Sequence, residues 1–494
     1  MSGADELIKF WPSVKPEVLK WKFIPFEEDG KAVTAEIEEY VELVPPERFP
    51  TKHVRPPLLR PDSKVVIVLG RSGCYGTCPA YTVGVSTHGI TFDGHEFVVA
   101  SGKHTDSVNP DAVYALAKRF IAADFYSMDS IYHAGVTDNP TYVLYIEIDG
   151  RKKEVMDYVG SWVGMPAVIT ELEDAVDSFA HTERWIEGAE GLVAALKLED
   201  YNFQSFEAQI LFKEALTRGQ STTVREFLDA GLPLKPLPPP GPYEPGTAPP
   251  FQNVGWLTAA STHPETLQIL LDHGVSKNDQ NDKDLALAGV ARSGNLETLR
   301  ALIAYGANPN ADLSKLTIKR NSGAFIVEEQ GAGSILIYAA KSGNPDVVRE
   351  ILRYHPSLEA RDREGKTAMF AVGDNVIFDK EGARVQCVRL LVAAGANVNA
   401  RDNDGNTPLH NLFIADVEEE LLKLGADVNA RNKRGETPIF TTVNYKDGLR
   451  LFIEHGADLT IRNNEGKTIF EIREKDPAFK TALQKAMHSS TSKR

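Results

Sequence analysis

The sequence predicts a multidomain protein in which an α+β domain is followed by an all-α repeat solenoid with β-turn fingers. Two observations indicate this. A glycine-rich phrase recurs every 30 to 31 residues near the C-terminus, and strand-like runs alternate with helical segments between residues 64 and 186. The chain has 494 residues, 42% of them hydrophobic and 25% charged, which is ordinary for globular protein and leaves room for several domains.

The recurring phrase has the chemistry of a helix end, a tight turn and a new helix. Gly395 follows an apolar run, and glycine ends a helix readily because it takes the left-handed conformation. Thr407 and Pro408 then suit the start of the next helix, since threonine can cap it and proline fits its first turn. The clearest copies are GANVNARDNDGNTPLH (395–410), GADVNARNKRGETPIF (425–440) and GADLTIRNNEGKTIF (456–470).

This period and its T-P-L-H signature resemble the ankyrin repeat. The resemblance covers residues 209–487 and implies about seven stacked repeats closed by a C-terminal cap. A Pro-rich insertion at 235–250 separates the first two repeats, and residues 313–330 and 375–386 lengthen later ones. We expect residues 191–208 to be a connector and 488–494 a disordered tail.

Residues 61–190 predict the α+β domain. KVVIVLGRS and AYTVGVS have the pattern of strands, and a hairpin is expected around Asp149-Gly150. One helix is expected to begin after Asn109, and an amphipathic helix spans 165–186.

The most distinctive phrase of this domain is GRSGCYGTCPAYTV at 70–83. It resembles a small bacterial domain of unknown function that is marked by G-C-x-G-x-C-P-x-Y. The matching positions are Gly73, Cys74, Gly76, Cys78, Pro79 and Tyr81. The resemblance implies membership in that family and no particular chemistry.

Three interpretations of Cys74 and Cys78 stay open. The pair can form a short-loop disulfide or redox-labile pair in an oxidising compartment, or it can pack a glycine-rich turn. A metal site is disfavoured, because no Cys/His cluster lies nearby in the sequence and His88 or His95 alone supplies too few further ligands. Cys387, in an apolar helical run, is expected to be a small buried hydrophobe.

Residues 1–60 contain a further resemblance. VLKWKFIPFEEDGKAVTAEIEEYVEL (18–43) is similar to the C-terminal half of a TonB-type domain, where a W-x-F-x-P strand, a D-G-K turn and a valine-bearing strand form a hairpin. Such domains work in the bacterial periplasm. The alternative is an edge hairpin that packs on the next domain.

Charge and hydropathy restrict the compartment and the partners. The net charge of −15 argues against nucleic-acid binding, which depends on basic residues. No apolar run is long enough to cross a membrane, and the N-terminus has no secretory signal. The sequence as written therefore predicts a cytoplasmic protein without membrane insertion. A longer native N-terminus would instead allow the bacterial periplasm or envelope.

The sequence has no recognisable catalytic motif, and we therefore predict that the chain is not an enzyme. Two Gly-Lys-Thr triplets, at 365–367 and 466–468, lack the earlier glycine of a phosphate-binding loop, because Ala360 and Ile461 stand there. Both triplets fall at the same point of the repeat, which explains them as turn and cap. No cofactor and no metal is expected.

We therefore predict a protein–protein interaction scaffold that binds a protein partner on the concave face and turn tips of the solenoid. The alternative is a thiol-active or ligand-binding N-terminal domain that the repeats dock. The tip residues predicted to contact the partner are Arg361, Asp362, Arg363, Glu364, Arg401, Asn403, Asp404, Asn432, Lys433, Arg434, Asn463, Asn464 and Glu465.

Overall fold

A computed structural model describes most of the chain. The described residues are 47–235, 237, 255–314, 333–372, 382–411, 414–441, 448–473 and 479, with the backbone of four strands at 26–28, 31–33, 317–322 and 325–330. Most of the Pro-rich insertion, most of the insertion at 375–386 and the whole tail at 488–494 lie outside them.

The chain divides into two compact units, Met1–Pro46 and Glu47–Arg494. In the first unit, strands β1 (Phe26–Glu28) and β2 (Lys31–Val33) pair antiparallel, with Glu28 opposite Lys31. The rest of the TonB-like hairpin predicted for 18–43 lies outside the described residues.

The second unit begins with a seven-stranded sheet. Alternation of buried and exposed side chains along its strands, as in Val65, Ile67 and Leu69, places one face against the core. The strand order is β6-β5-β4-β3-β8-β9-β7, and only the β7–β9 pair is parallel. The strands are β3 (Val65–Arg71), β4 (Ala80–Ser86), β5 (Gly89–Glu96), β6 (Gly102–Asp106), β7 (Ile131–His133), β8 (Tyr142–Ile148) and β9 (Arg151–Tyr158).

Two helices cover the buried face of the sheet. Helix α1 (Pro110–Ala122) begins where predicted, because the Asn109 side chain accepts a hydrogen bond from the backbone of Asp111. Helix α2 (Ala167–Ala180) ends at His181, which takes a left-handed φ of 52°, and α3 (Glu183–Glu187) follows. The single helix predicted for 165–186 is therefore wrong, since the chain turns at His181. The predicted α+β class of this domain is confirmed.

The helical region follows as short antiparallel pairs, as the predicted ankyrin solenoid requires. Within the described residues there are seven pairs and a closing helix. A connecting helix, α4 (Leu192–Leu198), precedes them, and the strands β10 (Thr317–Ser322) and β11 (Phe325–Gln330) form a hairpin between the third and fourth pairs. The helices are α5 (Phe206–Thr217), α6 (Ser221–Asp229), α7 (Trp256–Ala259), α8 (Pro264–Asp272), α9 (Gln280–Ser293), α10 (Leu296–Ala304), α11 (Ile335–Ser342), α12 (Pro345–Leu352), α13 (Ala368–Ala371), α14 (Ala383–Ala394), α15 (Pro408–Asn411), α16 (Ala415–Lys423), α17 (Pro438–Thr441), α18 (Gly448–Glu454) and α19 (Ile469–Ile472).

One hydrophobic core runs from the sheet into the solenoid. Trp185 of α3 stacks on Phe92 of the sheet, with ring centroids 5.9 Å apart. Within the predicted connector, Leu192, Val193 and Leu196 of α4 are fully buried. The connector is thus a packed helix that joins the sheet domain to the first repeat, and the aromatic contacts continue through Phe203 and Phe227 into the solenoid.

Candidate functional site

Each turn finger of the last repeats is built around one buried or half-buried Asp or Asn side chain. Its Oδ1 accepts hydrogen bonds from the backbone N–H groups two and four residues later, which fixes the turn. The donor–acceptor distances are 2.9 Å and 2.9 Å at Asp362, 2.9 Å and 2.8 Å at Asp402, 2.9 Å and 3.0 Å at Asn432, and 3.0 Å and 3.0 Å at Asn463.

An arginine immediately before this Asp or Asn joins each finger to the next. Nη1 of Arg401 donates to the carbonyl of Gly405 in its own finger at 3.0 Å and to the carbonyl of Arg431 in the next at 2.6 Å. Arg361 makes the same two contacts, to the carbonyls of Gly365 and Arg401. Arg431 continues the series by donating to the carbonyl of Arg462 at 2.8 Å.

The fingertips are also joined by backbone hydrogen bonds. The amides of Asn403, Lys433 and Asn464 donate to carbonyls of the preceding finger at 2.8 to 2.9 Å. The side-chain amides of Asn403 and Asn464 add bonds to the carbonyls of Arg363 and Lys433, at 2.9 and 2.8 Å. We call residues 361–366, 401–406, 431–436 and 462–467 the tip strip, because these bonds make them one continuous hydrogen-bonded surface.

The predicted partner-binding residues all lie in the tip strip, in three kinds of position. Asn432 and Asn463 are only 7% and 8% exposed, and Asp362 is half-buried, so their side chains act within the turn. Arg361 and Arg401 are exposed but use Nη1 to join fingers. The remaining predicted residues are exposed: Arg363, Glu364, Asn403, Asp404, Lys433, Arg434, Asn464 and Glu465.

The sequence prediction missed two members of the arginine series, Arg431 and Arg462. Both stand at the same offset in the repeat as Arg361 and Arg401, directly before the turn-forming Asp or Asn. This constant offset in the repeat could have identified both arginines from the sequence. It indicates that the arginines were set by the repeat and not by a partner.

The charges on the tip strip are of both signs and accessible to water. Glu364 pairs with Lys366 at 2.6 Å, Arg434 with Glu436 at 2.7 Å, and Glu465 with Lys467 at 3.0 Å. Exposed ion pairs of this kind stabilise a protein by about 0–1 kcal/mol. A partner can therefore exchange them for its own charges at small cost.

A second set of polar side chains, apart from the tip strip, lies in the sheet domain. These side chains form a row across the ends of four strands. Register places Arg71 opposite both Tyr81 and Tyr142, and Tyr142 opposite Asp157. Because these four residues share the helix-covered face, they form a polar row inside an otherwise apolar layer. The guanidinium carbon of Arg71 lies 4.9 Å from the centroid of the Tyr142 ring.

Helix α2 places two carboxyl groups on this row. The Tyr81 hydroxyl donates to both carboxyl oxygens of Asp177 at 2.8 Å, and the Thr182 hydroxyl donates to one of them at 2.8 Å. Burial raises the pKa of Asp177. Glu173 is 3% exposed, and burial, followed by the nearby charge of Asp157, raises its pKa to about 8. Among the described residues, its Oε1 has no hydrogen-bond partner.

The loop between β3 and β4 contains the cysteine pair. Cys74 and Cys78 are joined in a disulfide, with Cα atoms 5.5 Å apart. Cys387 is fully buried, as predicted, and burial raises the pKa of its thiol to about 12. The described part of the chain holds no group of three His, Cys, Asp or Glu side chains that could bind a metal ion.

Comparison with known families agrees with both halves of this architecture. Ankyrin-repeat models match residues 336–413 and 404–433, so this part of the chain consists of ankyrin repeats. The model described as a domain of unknown function (DUF6438) matches residues 65–180, which span the sheet from β3 to the end of α2. The chain therefore carries a DUF6438 domain followed by ankyrin repeats.

Several curated proteins share part of the sequence. Diacylglycerol kinase iota is 38% identical over 101 residues in Mus musculus and 32% identical over 152 residues in Rattus norvegicus. A Caenorhabditis elegans homolog of transient receptor potential cation channel subfamily A member 1 is 32% identical over 120 residues. These alignments cover 20%, 28% and 24% of this chain and 9%, 13% and 8% of those proteins. The similarity is thus local, to a small part of much longer proteins.

None of the described helices has both the length and the apolar character needed to cross a bilayer.

Proposed function

We propose that this protein is a non-catalytic scaffold that binds a protein partner through the concave face and the tip strip of its ankyrin repeats. Ankyrin repeats support a role in protein interaction generally, because stacked repeats present an extended concave surface. The negative net charge of −15 disfavours nucleic acid as the partner.

The observation that carries this proposal is the hydrogen bonding between successive fingers. Arg401 joins its own finger to the next, and Asn403, Lys433 and Asn464 bond to the finger before them. A surface already held in one conformation loses little entropy when a partner binds. The tip strip is therefore suited to recognition without rearrangement.

The exposed side chains of the strip would make the contacts. Lys433 and Arg434 stand side by side on one finger and form its most basic point. Asp404 on the preceding finger and Glu465 on the following one are acidic. We therefore propose a partner surface with an acidic centre opposite Lys433 and Arg434, flanked by basic groups.

The test is affinity capture with the full chain, followed by mass spectrometry. The tip variant is Lys433→Glu with Arg434→Glu. Its matched control is Lys118→Glu with Arg119→Glu, which reverses another exposed, adjacent Lys-Arg pair on α1 of the sheet domain. Because both variants change the net charge equally, a general electrostatic effect would act on both.

We expect the native chain and the control variant to enrich the same protein, and the tip variant to lose it. Equal enrichment by all three chains would show that the tip strip is not the contact surface. No enrichment over an unrelated solenoid by any chain would contradict the scaffold role itself.

A further inference from the structure

Of the three cysteines, only the two in the disulfide loop are accessible to solvent. In the loop between β3 and β4, Ser72, Tyr75 and Thr77 are exposed, Tyr75 to 90%, and the two cysteines are half-buried. Cys387 is 0% exposed and its thiol pKa is raised to about 12, so it is inert by comparison. A reagent in solution can therefore reach the Cys74–Cys78 loop and not the third cysteine.

The sheet does not depend on this disulfide. Strands β3 and β4 pair without interruption from Val66–Ser86 to Arg71–Tyr81, directly below the loop. The ladder thus already holds together the chain segments that lead to the cysteines. A disulfide that closes so short a loop also removes less entropy from the unfolded chain than one that closes a long loop. Breaking it should leave the fold intact.

The surroundings disfavour the thiolate form of the two cysteines and so favour the disulfide in the absence of a reductant. Oε2 of Glu96 lies 3.5 Å from the position that a Cβ on Gly73 would occupy, so a carboxylate stands beside the loop. The nearest cation along the strand, Arg71, stacks on Tyr142 in the polar row, where Glu173 and Asp177 are close. Thiolates are stabilised by neighbouring cations and not by carboxylates. The reduced cysteines are therefore poor attacking groups.

From these observations we propose that Cys74 and Cys78 form a reversible thiol–disulfide exchange site, which an external dithiol reduces while the protein stays folded. A thiolate of the dithiol attacks one cysteine sulfur, and the S–S bond breaks as the other cysteine leaves and takes a proton. The second thiol of the reductant then resolves the mixed disulfide. Two electrons and two protons pass to Cys74 and Cys78, and the reductant ends as a disulfide.

Reduction changes a defined surface. The loop is tied to the neighbouring loop at 134–141 because the amide of Ser72 donates to the carbonyl of Thr141 at 3.0 Å. The amide of Thr141 in turn donates to the Ser72 hydroxyl at 2.9 Å. Opening the disulfide frees the exposed Tyr75 and loosens these two loops, while the Arg71–Tyr81 pair below keeps the strands together. This switch lies in the sheet domain and is separate from partner binding by the tip strip.

The test uses the full chain, purified in air and exposed to increasing dithiothreitol in native buffer. Iodoacetamide then labels free thiols, and mass spectrometry locates the labels. We expect labels on both Cys74 and Cys78, no label on Cys387 and an unchanged far-UV circular dichroism spectrum. Hydrogen–deuterium exchange should rise in residues 72–79 and 134–141 and stay unchanged in the tip strip. Oxidised glutathione should restore the unlabelled state.

Two variants serve as controls. Cys387→Ser should behave as the native chain, and the double variant Cys74→Ser with Cys78→Ser should show the exchange pattern of the reduced protein without any dithiol. Labelling of Cys74 and Cys78 before reduction would overturn the proposal, as would reduction only at denaturant concentrations that unfold the chain. So would failure of the disulfide to form again. None of these results depends on partner capture.

Discussion

Two buried carboxyl groups of the solenoid and one of the sheet domain are held in opposite ways. In the solenoid, Glu420 receives two hydrogen bonds from the guanidinium of Arg389, at 2.7 and 2.9 Å, and these bonds lower its pKa. Glu350 is held in the same way by Arg300, at 3.0 and 2.7 Å. In the sheet domain, Glu173 is equally buried, has no such partner among the described residues, and has its pKa raised to about 8.

This difference follows from the two architectures. In a stack of repeats, each helix faces the corresponding helix of the next repeat, so a cation at a fixed offset meets its carboxylate. In the sheet domain, α2 crosses the ends of several strands and places Glu173 near both Asp157 and Asp177. Glu420 and Glu350 of the repeats are each matched with a cation, whereas the polar row of the sheet domain places several carboxyl groups near the guanidinium of Arg71. A concentrated, partly uncompensated cluster costs stability and is typical of functional sites.

The largest predicted effect on stability concerns the packed junction between the sheet domain and the solenoid. Phe227→Ala removes a fully buried ring that contacts Phe203 and Phe212, with centroids 5.8 and 6.1 Å away. We expect a loss of about 3–5 kcal/mol in the free energy of unfolding, measured by urea denaturation, because the cavity cannot collapse fully. Hydrogen–deuterium exchange should rise in α2 of the sheet domain as well as in α6.

The matched control is Leu198→Ala on the connecting helix α4, where the side chain is 68% exposed. It should change stability by no more than about 0.5 kcal/mol. If Phe227→Ala loosens the repeats and leaves the sheet domain fully protected, the two regions fold independently and the continuous core does not couple them.

The second prediction tests the uncompensated carboxyl group through pH. The pKa of Glu173 is about 8 in the folded protein, against 4.5 for a free side chain. Between these values the unfolded chain has lost the proton that the folded protein keeps, so stability falls as pH rises from about 4.5 to about 8 and is constant above. Glu173→Gln removes this loss, and it should stabilise the protein by a few kcal/mol at pH 8 relative to pH 5.

Urea denaturation at several pH values measures this effect. The control is Glu171→Gln, because Glu171 lies on the same helix and is exposed. It should show the same pH dependence as the native chain. A Glu173→Gln variant whose stability runs parallel to that of the native chain at all pH values would show that Glu173 titrates normally.

The third prediction concerns Glu420, for which the change of stability with pH has the opposite sign. Hydrogen bonds from Arg389 lower the pKa of Glu420, so the stability from this pair is present above the unfolded value of 4.5 and is lost as pH falls through the folded value. Glu420→Gln weakens two charge-assisted hydrogen bonds, and we expect it to destabilise the protein by about 1–2 kcal/mol at neutral pH. Urea denaturation should show this difference shrinking in acid. A stabilising effect at pH 8, as expected for Glu173→Gln, would remove the contrast between the two regions.

The two regions also differ in how much of their structure could be predicted from the sequence. The repeats could be predicted because their sequence signals are local. Gly395 ends a helix, and Asp402 to Thr407 form the next turn within a few residues. The two cysteines and the strands were also recognisable. The polar row was not, because it depends on strand register, and no spacing in the chain links Arg71 to Tyr142 or Glu173. The break at His181 was missed for a related reason, since the chain turns there to pack Trp185 on the sheet.

The smallest predicted effects on stability distinguish Asn432 from Lys433. These neighbouring residues of the tip strip were both predicted from the sequence to contact the partner. Asn432 is 7% exposed, and its Oδ1 accepts two backbone amides at 2.9 and 3.0 Å. Asn432→Ala leaves those amides unpaired in the turn and should cost about 1 kcal/mol in urea denaturation. Lys433 is exposed, so Lys433→Ala should change stability by less than about 0.5 kcal/mol.

Affinity capture should rank the two variants differently if Lys433 contacts the partner. Lys433→Ala should weaken capture although the protein is as stable as the native chain. Asn432→Ala should weaken it only in proportion to its loss of folded protein. If Lys433→Ala captures the partner as well as the native chain does, the exposed lysine belongs to the repeat, as Asn432 does, and the contact surface must lie on the concave face.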